Sequence, residues 1–281
     1  VPDHGDDDPS RVWFTLTEGA LTEVRFPRVD LMNLRTMDLL VVDADADASY
    51  TARTHNETRR DDGADTVERG AEVVDDDSLL FRHTVTETGD GRGHEWRLTA
   101  EYATDPDHDA LLASVEFEAL DDNSYEVYAV ADTALVNTGK RDRGLRLGQP
   151  GSYHLVARDA SAFDEGTSAE PLLIDRDGDP YSVAVAFTAA GRFDWATVDV
   201  AGSALLTDLF GEGTVPESRE RVDDENVVLV GRIGTGTSVR EIVQEAQVTN
   251  PMLYYYFDSK EELFRTLVNL LFDILQESIA E

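Results

Sequence analysis

Along roughly the first 232 residues, apolar side chains recur at every second position, a period that extended strands satisfy and helices do not. Val12, Phe14 and Leu16 share one face, and Glu18-Gly19 offers a turn into the run from Leu21 to Phe26. Trp96, Leu98, Ala100 and Tyr102 alternate, as do Ala113, Val115, Phe117 and Ala119. Tyr125, Val127, Ala129 and Ala131 follow, and Tyr181, Val183, Val185 and Phe187 repeat the pattern. The polar stretch from Asp175 to Pro180 suits a hairpin turn. Many strands with one apolar face and almost no helical period predict a mainly β chain built as a large antiparallel β-sandwich.

The period changes to 3.6 near the C-terminus. Thr237 or Ser238 can cap a helix whose apolar side is Val239, Ile242, Val243 and Ala246. A turn at Gln247-Val248 leads to a second cap at Thr249, with Pro251 tolerated in the first turn that follows. Ser259 can cap a third helix, with Glu261 and Glu262 near its positive end and Leu263, Leu267, Leu270, Leu271 and Ile274 as its stripe. The expected domains are therefore a sandwich over 1–233 and a short C-terminal α-helical, helix-turn-helix-like segment over 234–281.

Charge narrows the setting. There are 58 Asp and Glu against 24 Lys and Arg, and only Lys140 and Lys260 are lysines. A hydrophobic content of 41% with regular strand patterning argues against a disordered chain. A folded protein from a salt-rich, halophilic cytoplasm fits better, because salt screens self-repulsion and a carboxylate surface stays hydrated. The same charge disfavours nucleic acid as a partner of the sandwich and anionic membrane as a partner of the chain. With no cysteine, disulfides and thiolate metal sites are excluded. No apolar run approaches the ~20 residues of a membrane span. The acidic start, Val1 to Asp8, lacks an initiator Met and the layout of a signal peptide, so a fragment of a longer cytoplasmic protein is expected.

Two families are resembled. SRVWFTLTEGALTEVRFPRVDLMNLRTMDLLVVD (10–43), WRLTAEYATDPDHDALLASVEFEAL (96–120), VYAVADTALVNTGKRDRG (127–144) and ENVVLVGRI (225–233) resemble, in order, segments of the N-terminal domain of bacterial and archaeal glucoamylases and glucodextranases, covering 1–232. The resemblance implies a super-β-sandwich that precedes a separate catalytic (α/α)6 barrel, the partner in the parent enzyme, with an α-glucan as the ligand the parent would meet. In that family the barrel carries both catalytic glutamates of an inverting glycoside hydrolase. The expectation is a piece of a glucan 1,4-α-glucosidase-like enzyme lacking its barrel and inert as it stands, since inversion needs an acid and a base across a sugar pocket.

VREIVQEAQVTNPMLYYYFDSKEELF (239–264) is similar to the helix-turn-helix of TetR-family transcription regulators, so a partial motif is expected over 237–281. By that likeness Asn250, Pro251, Tyr254 and Tyr256 would face the DNA major groove, while Arg240 and Lys260 would touch phosphates. Against a working DNA reader stand the absence of the usual first helix and of the dimerisation helices, and Gln247 where a turn Gly is customary. From Ile233 onward there are also three bases against eight acids. For Tyr254 to Phe257, plain helix packing is the competing reading.

Other constellations carry little. Asp43, Asp45 and Asp47, like Asp175 to Asp179, invite a calcium reading, but counting from Asp175 the sixth and twelfth loop positions hold Pro180 and Ala186 instead of Gly and Glu. So many acids produce close pairs by composition, and solvated acidic turns are expected, with no metal and no cofactor. The histidines never fall at zinc-ligand spacing, and His83 reads as a hydrogen-bonded strand residue. The loop around Asn137 and Asp142 is either a sugar-facing rim or plain structure. Trp13 and Trp195 are either sugar-stacking or core.

Two incomplete families meeting near Gly231 to Ser238 suggest a chimeric fusion. The functional expectation is a non-catalytic domain of a halophilic glucoamylase-like α-glucan hydrolase of carbohydrate metabolism. The alternative is a TetR-type DNA-binding regulator with the sandwich as sensor, in which case alone DNA is a partner.

Overall fold

The computed structural model describes residues 10–44, 50–55, 67–75, 79–89, 93–105, 109–159, 183–189 and 193–233. The C-terminal helical segment, the Asp175 to Pro180 turn and Asp45 and Asp47 lie outside them.

The described strands form two antiparallel sheets. The larger begins with β1 (Trp13–Thr17), β2 (Ala20–Arg25) and β3 (Met32–Asp43), with short β4 (Thr51–Arg53) on the end of β3. The smaller is a meander of β5 (Val67–Asp75), β6 (Leu80–Thr88), β7 (Glu95–Asp105) and β8 (Ala110–Ala119). The chain then returns to the larger sheet as β9 (Tyr125–Thr133), β10 (Asp142–Gln149), β11 (Ser152–Asp159), β12 (Ala184–Phe187) and β13 (Phe193–Val200). After a helix, α1 (Ala204–Glu212), it closes with β14 (Arg221–Glu225) and β15 (Val227–Ile233). The order across the larger sheet is β1-β2-β3-β9-β15-β13-β11-β10-β14, with β12 on β11. The last described strand thus sits in the middle, bonded to β9 on one side and β13 on the other.

The sandwich core lies between the sheets. Leu21, Leu39, Val41, Val127, Ala129, Ala131 and Leu229 meet Val85, Trp96, Leu98, Ala100 and Tyr102. The alternation expected for β7 holds, since its residues from Trp96 to Tyr102 alternate buried and exposed or half-buried. The central strands depart from a one-faced pattern. Leu39 to Val42 and Val227 to Val230 are continuous apolar runs because both of their faces are covered. Leu40, Val42, Tyr128, Val130, Val228 and Val230 form a second cluster on the far side, beneath Leu206 and Leu209 of α1.

The helix is a minor addition to the mainly β architecture expected for this half, and its signals are in the sequence. Ser203 caps it, its hydroxyl accepting from the Leu206 amide at 3.2 Å. Leu205, Leu206, Leu209 and Phe210 lie at helical spacing. Gly213 ends it in the left-handed region at φ 69°, its N–H donating to the Leu209 carbonyl at 3.1 Å. Nine residues are too few for a periodicity scan, yet enough to cover one apolar patch. Arg53 and Thr51 of β4 pin it from below: the Arg53 guanidinium lies 4.6 Å from the Phe210 ring, and the Thr51 hydroxyl donates to the Phe210 carbonyl at 2.8 Å.

Candidate functional site

The most constrained surface feature is the connection from β9 to β10. After Thr133 the chain makes a single 3-10 turn, Leu135–Asn137, then reaches Asp142. Val136, Asn137, Gly139 and Arg141 all adopt positive φ (54°, 68°, 55° and 63°). For a β-branched residue such as Val136 this is a true outlier, and left-handed L-residues cost roughly 1–2 kcal/mol each. A Cβ at 139 would come within 2.3 Å of the Arg35 guanidinium, so Arg35 would have to shift for any residue other than glycine.

Two asparagines hold this conformation. Asn33 donates to the Phe26 carbonyl at 2.6 Å and accepts the Val136 amide at 3.2 Å. Asn137 accepts the Met32 amide at 2.7 Å and donates to the Asp30 carbonyl at 2.8 Å. The buried side chains of Leu135 and Val136 anchor the turn from below. Asn137, Thr138, Lys140 and Arg141 remain exposed as a rim. Arg35 supports the base, donating to Asp132 and to the Thr133 carbonyl, both at 2.7 Å. Asp142 is fully buried, accepts the Leu135 amide at 3.4 Å, and stands directly opposite Asp159 across β10 and β11. Burial, then the neighbouring Asp159 charge, raises the Asp142 carboxyl to about 7, with Arg35 opposing.

A second polar group occupies the opposite end of β3 and β9. His94 bonds Asp43 at 3.0 Å and stacks on Tyr50 at 3.8 Å between ring centroids. The Tyr50 hydroxyl accepts from the Trp96 indole at 2.9 Å and donates to Glu87 at 3.2 Å. Burial pushes the Tyr50 phenol far above its ordinary value. Asp43, Tyr50, Glu87, His94 and Trp96 are all buried. A general acid or base must reach the proton it moves on a substrate. These groups tie β3, β6 and β7 together, with Tyr50 just before β4 and His94 just before β7.

The residues singled out from sequence scatter. His83 is a buried strand residue beside the Tyr102 hydroxyl, 3.3 Å away, and burial depresses its imidazole to about 4. Trp195 is half-buried, edge-on against Tyr128 at 5.6 Å. Trp13 is 40% exposed on edge strand β1, so it is not core. Among the described residues no group of three His, Asp or Glu side chains could hold a metal ion. No helix among them is long and apolar enough to cross a membrane. Arg240, Asn250, Pro251, Tyr254, Tyr256 and Lys260 lie outside the described residues. The Asp142–Asp159 pair escaped the sequence reading because it depends on the register of the β10–β11 hairpin, and the Asp43–His94–Tyr50 cluster because His94 lies 51 residues from Asp43.

Two antiparallel sheets of unequal size, packed face to face and with a strained connection at the rim, define a β-sandwich domain. The chain belongs to the family described as "Glucodextranase, domain N", whose pattern matches residues 5–245. It is similar to a glucoamylase of Clostridium sp. (strain G0005), at 28% identity over 151 residues, 53% of this chain and 19% of that one. Its fold is similar to that of a bacterial glucoamylase solved in complex with acarbose, with a TM-score of 0.54 at 18% identity, over 80% of this chain and 28% of that one. The chain therefore spans less than a third of either relative's length. The pattern described as "Bacterial regulatory proteins, tetR family" matches residues 230–267. The two matches overlap, and Val230 to Ile233 in the overlap form part of central strand β15.

Proposed function

We propose that the sandwich is the non-catalytic N-terminal domain of a halophilic glucoamylase-like α-glucan hydrolase, docking beside and stabilising a catalytic (α/α)6 barrel. The family match over most of the sequence carries this reading. The disposition of carboxylates supports it. Several of those described lie in arginine pairs, such as Arg82 with Glu72 and Glu101, and others are buried, such as Asp38, Asp43 and Glu87. Inverting hydrolysis needs two carboxyl groups roughly 6.5–9.5 Å apart across a sugar. The strained rim from Asn137 to Arg141 is the surface assigned to barrel contact, since such strain persists where a surface must be held in one shape. The acid excess fits a salt-rich cytoplasm. Glucose release from maltose, assayed with this chain in concentrated KCl, should stay at background; turnover would refute the non-catalytic assignment.

The tetR match over 230–267 favours a second reading, a DNA-binding regulator with the sandwich as sensor. In it Asn250, Pro251, Tyr254 and Tyr256 enter the groove, while Arg240 and Lys260 hold phosphates. Retention of labelled duplex DNA that weakens steeply with salt would support that reading. Against it stands a formal net charge of −34. No retention at low salt would dismiss it.

A further inference from the structure

The fold treats the three tryptophans differently. Trp96 is fully buried, and its indole N–H donates to the Tyr50 hydroxyl at 2.9 Å. Trp195 is half-buried and packs edge-on against Tyr128. Trp13 has neither kind of partner: it is exposed, and among the described residues its ring meets no other aromatic ring and its N–H no acceptor. A tryptophan ordinarily buries its ring or bonds its N–H, and commonly does both.

The backbone around Trp13 is irregular where it need not be. The ladder of edge strand β1 with β2 slips between Trp13 and Thr15. Within that slip Glu23 takes a φ of 53°, and the next ladder, β2 with β3, slips in turn between Val24 and Arg25. Such bulges re-aim side chains and recur beside functional sites. Arg25 stands directly opposite Trp13 in register, so the two side chains start about 4.5–5.5 Å apart at Cβ. The Arg25 guanidinium is fixed by the Glu23 carboxylate at 2.7 Å and by the Glu23 carbonyl at 3.3 Å, and half of the Glu23 side chain is open to solvent.

We propose that Trp13, Arg25 and Glu23 form a sugar-binding platform that holds an α-linked glucan without cleaving it. The geometry carries the site; the choice of an α-glucan rests on the glucoamylase-like reading above. A pyranose laid on the indole sets its C–H face against the ring, and its equatorial hydroxyls reach outward to a guanidinium that donates and a carboxylate that accepts. An apolar contact with a few placed polar groups is how a small ligand is oriented. A polymer segment held this way stays beside the domain at a raised effective concentration.

The whole chain in concentrated KCl, with its indole nitrogens isotope-labelled, gives one nuclear magnetic resonance for each tryptophan, and maltoheptaose is the probe. The Trp13 resonance should shift and saturate with a half-point on the order of 1 mM, while those of Trp96 and Trp195 stay in place. Trp13→Ala should abolish the accompanying shifts of the β1 and β2 amides, with the other two indoles reporting an intact fold. Arg25→Met keeps the stack and should weaken binding about tenfold. No saturable shift by about 20 mM maltoheptaose would overturn the site, as would binding that survives Trp13→Ala or that moves Trp195 instead. A β-linked cello-oligosaccharide bound as tightly would overturn the α-glucan assignment. Glucose release from maltose tests the glucoamylase-like reading independently: turnover there strikes the non-catalytic assignment, whereas a missing Trp13 titration strikes this site alone.

Discussion

Replacing Arg53 by Met isolates the worth of the ion pair beneath α1. Asp38 is 0% exposed and held by two hydrogen bonds from Arg53, 2.8 Å from Nε and 2.6 Å from Nη2. Burial raises the Asp38 carboxyl and Arg53 opposes that. Met keeps the apolar stem but strands a buried carboxyl, which costs roughly 3–5 kcal/mol when a partner is removed. Loss of the guanidinium over the Phe210 ring adds about 0.5–2 kcal/mol and loosens the helix. Asp38→Asn in the same background makes the group neutral and should return much of the loss. The two single changes should therefore be non-additive by about 2 kcal/mol or more. Urea denaturation followed by circular dichroism at fixed KCl reads this directly, with the denaturant slope unchanged. Additive losses, or an Arg53→Met cost below about 1 kcal/mol, would refute the claim that charge pairing holds this corner.

The other predictions follow from titration and packing. His83 titrates near 4 in the fold against an ordinary 6.5, so its contribution is complete above about 6.5 and is lost as pH falls toward 4. Asp142 titrates near 7 against 3.8, so its contribution is complete below about 3.8 and is lost as pH rises toward 7. Between them the two slopes oppose, and Asp142→Asn should expose a stability that climbs with pH from about 4 to 6.5; a falling curve in that variant would contradict the assignment. Gly231→Ala should cost about 1–3 kcal/mol by thermal melting, because the new Cβ would lie 2.5 Å from the Phe193 ring in the middle of the larger sheet. An unchanged melt would show that the ring can give way. Ser203→Ala should cost about 1 kcal/mol through the lost cap of α1, read as a small drop in melting temperature.

Much of the fold was legible from residue order. Period-two alternation marks β7, β8 and β9 because each side chain's face is decided by its own position in the pleat. The Glu18-Gly19 turn also follows locally, with Gly19 at φ 88° between β1 and β2. The His83 expectation came from its apolar neighbours. The candidate site was half visible: Asn137 and Asp142 stood out as a polar loop, but its strain and its buried charges did not. Asn33 lies 103 residues from the Val136 amide that it caps. Asp159 matters to Asp142 only because β10 and β11 pair in one particular register.

Sequence by itself determined the strand character, the family and the acidic surface, since period and composition are properties of the chain read in order. Tertiary structure alone decided that β15 closes the middle of the larger sheet between β9 and β13, and which face of that sheet the helix from Ala204 covers. It also decided which carboxylates lose their water. The physical reason is that burial and hydrogen bonding depend on pairing register and on partners elsewhere in the chain as much as on immediate neighbours. A carboxyl such as Asp38 or Asp142 acquires a raised proton affinity chiefly because the packed strands exclude solvent from it.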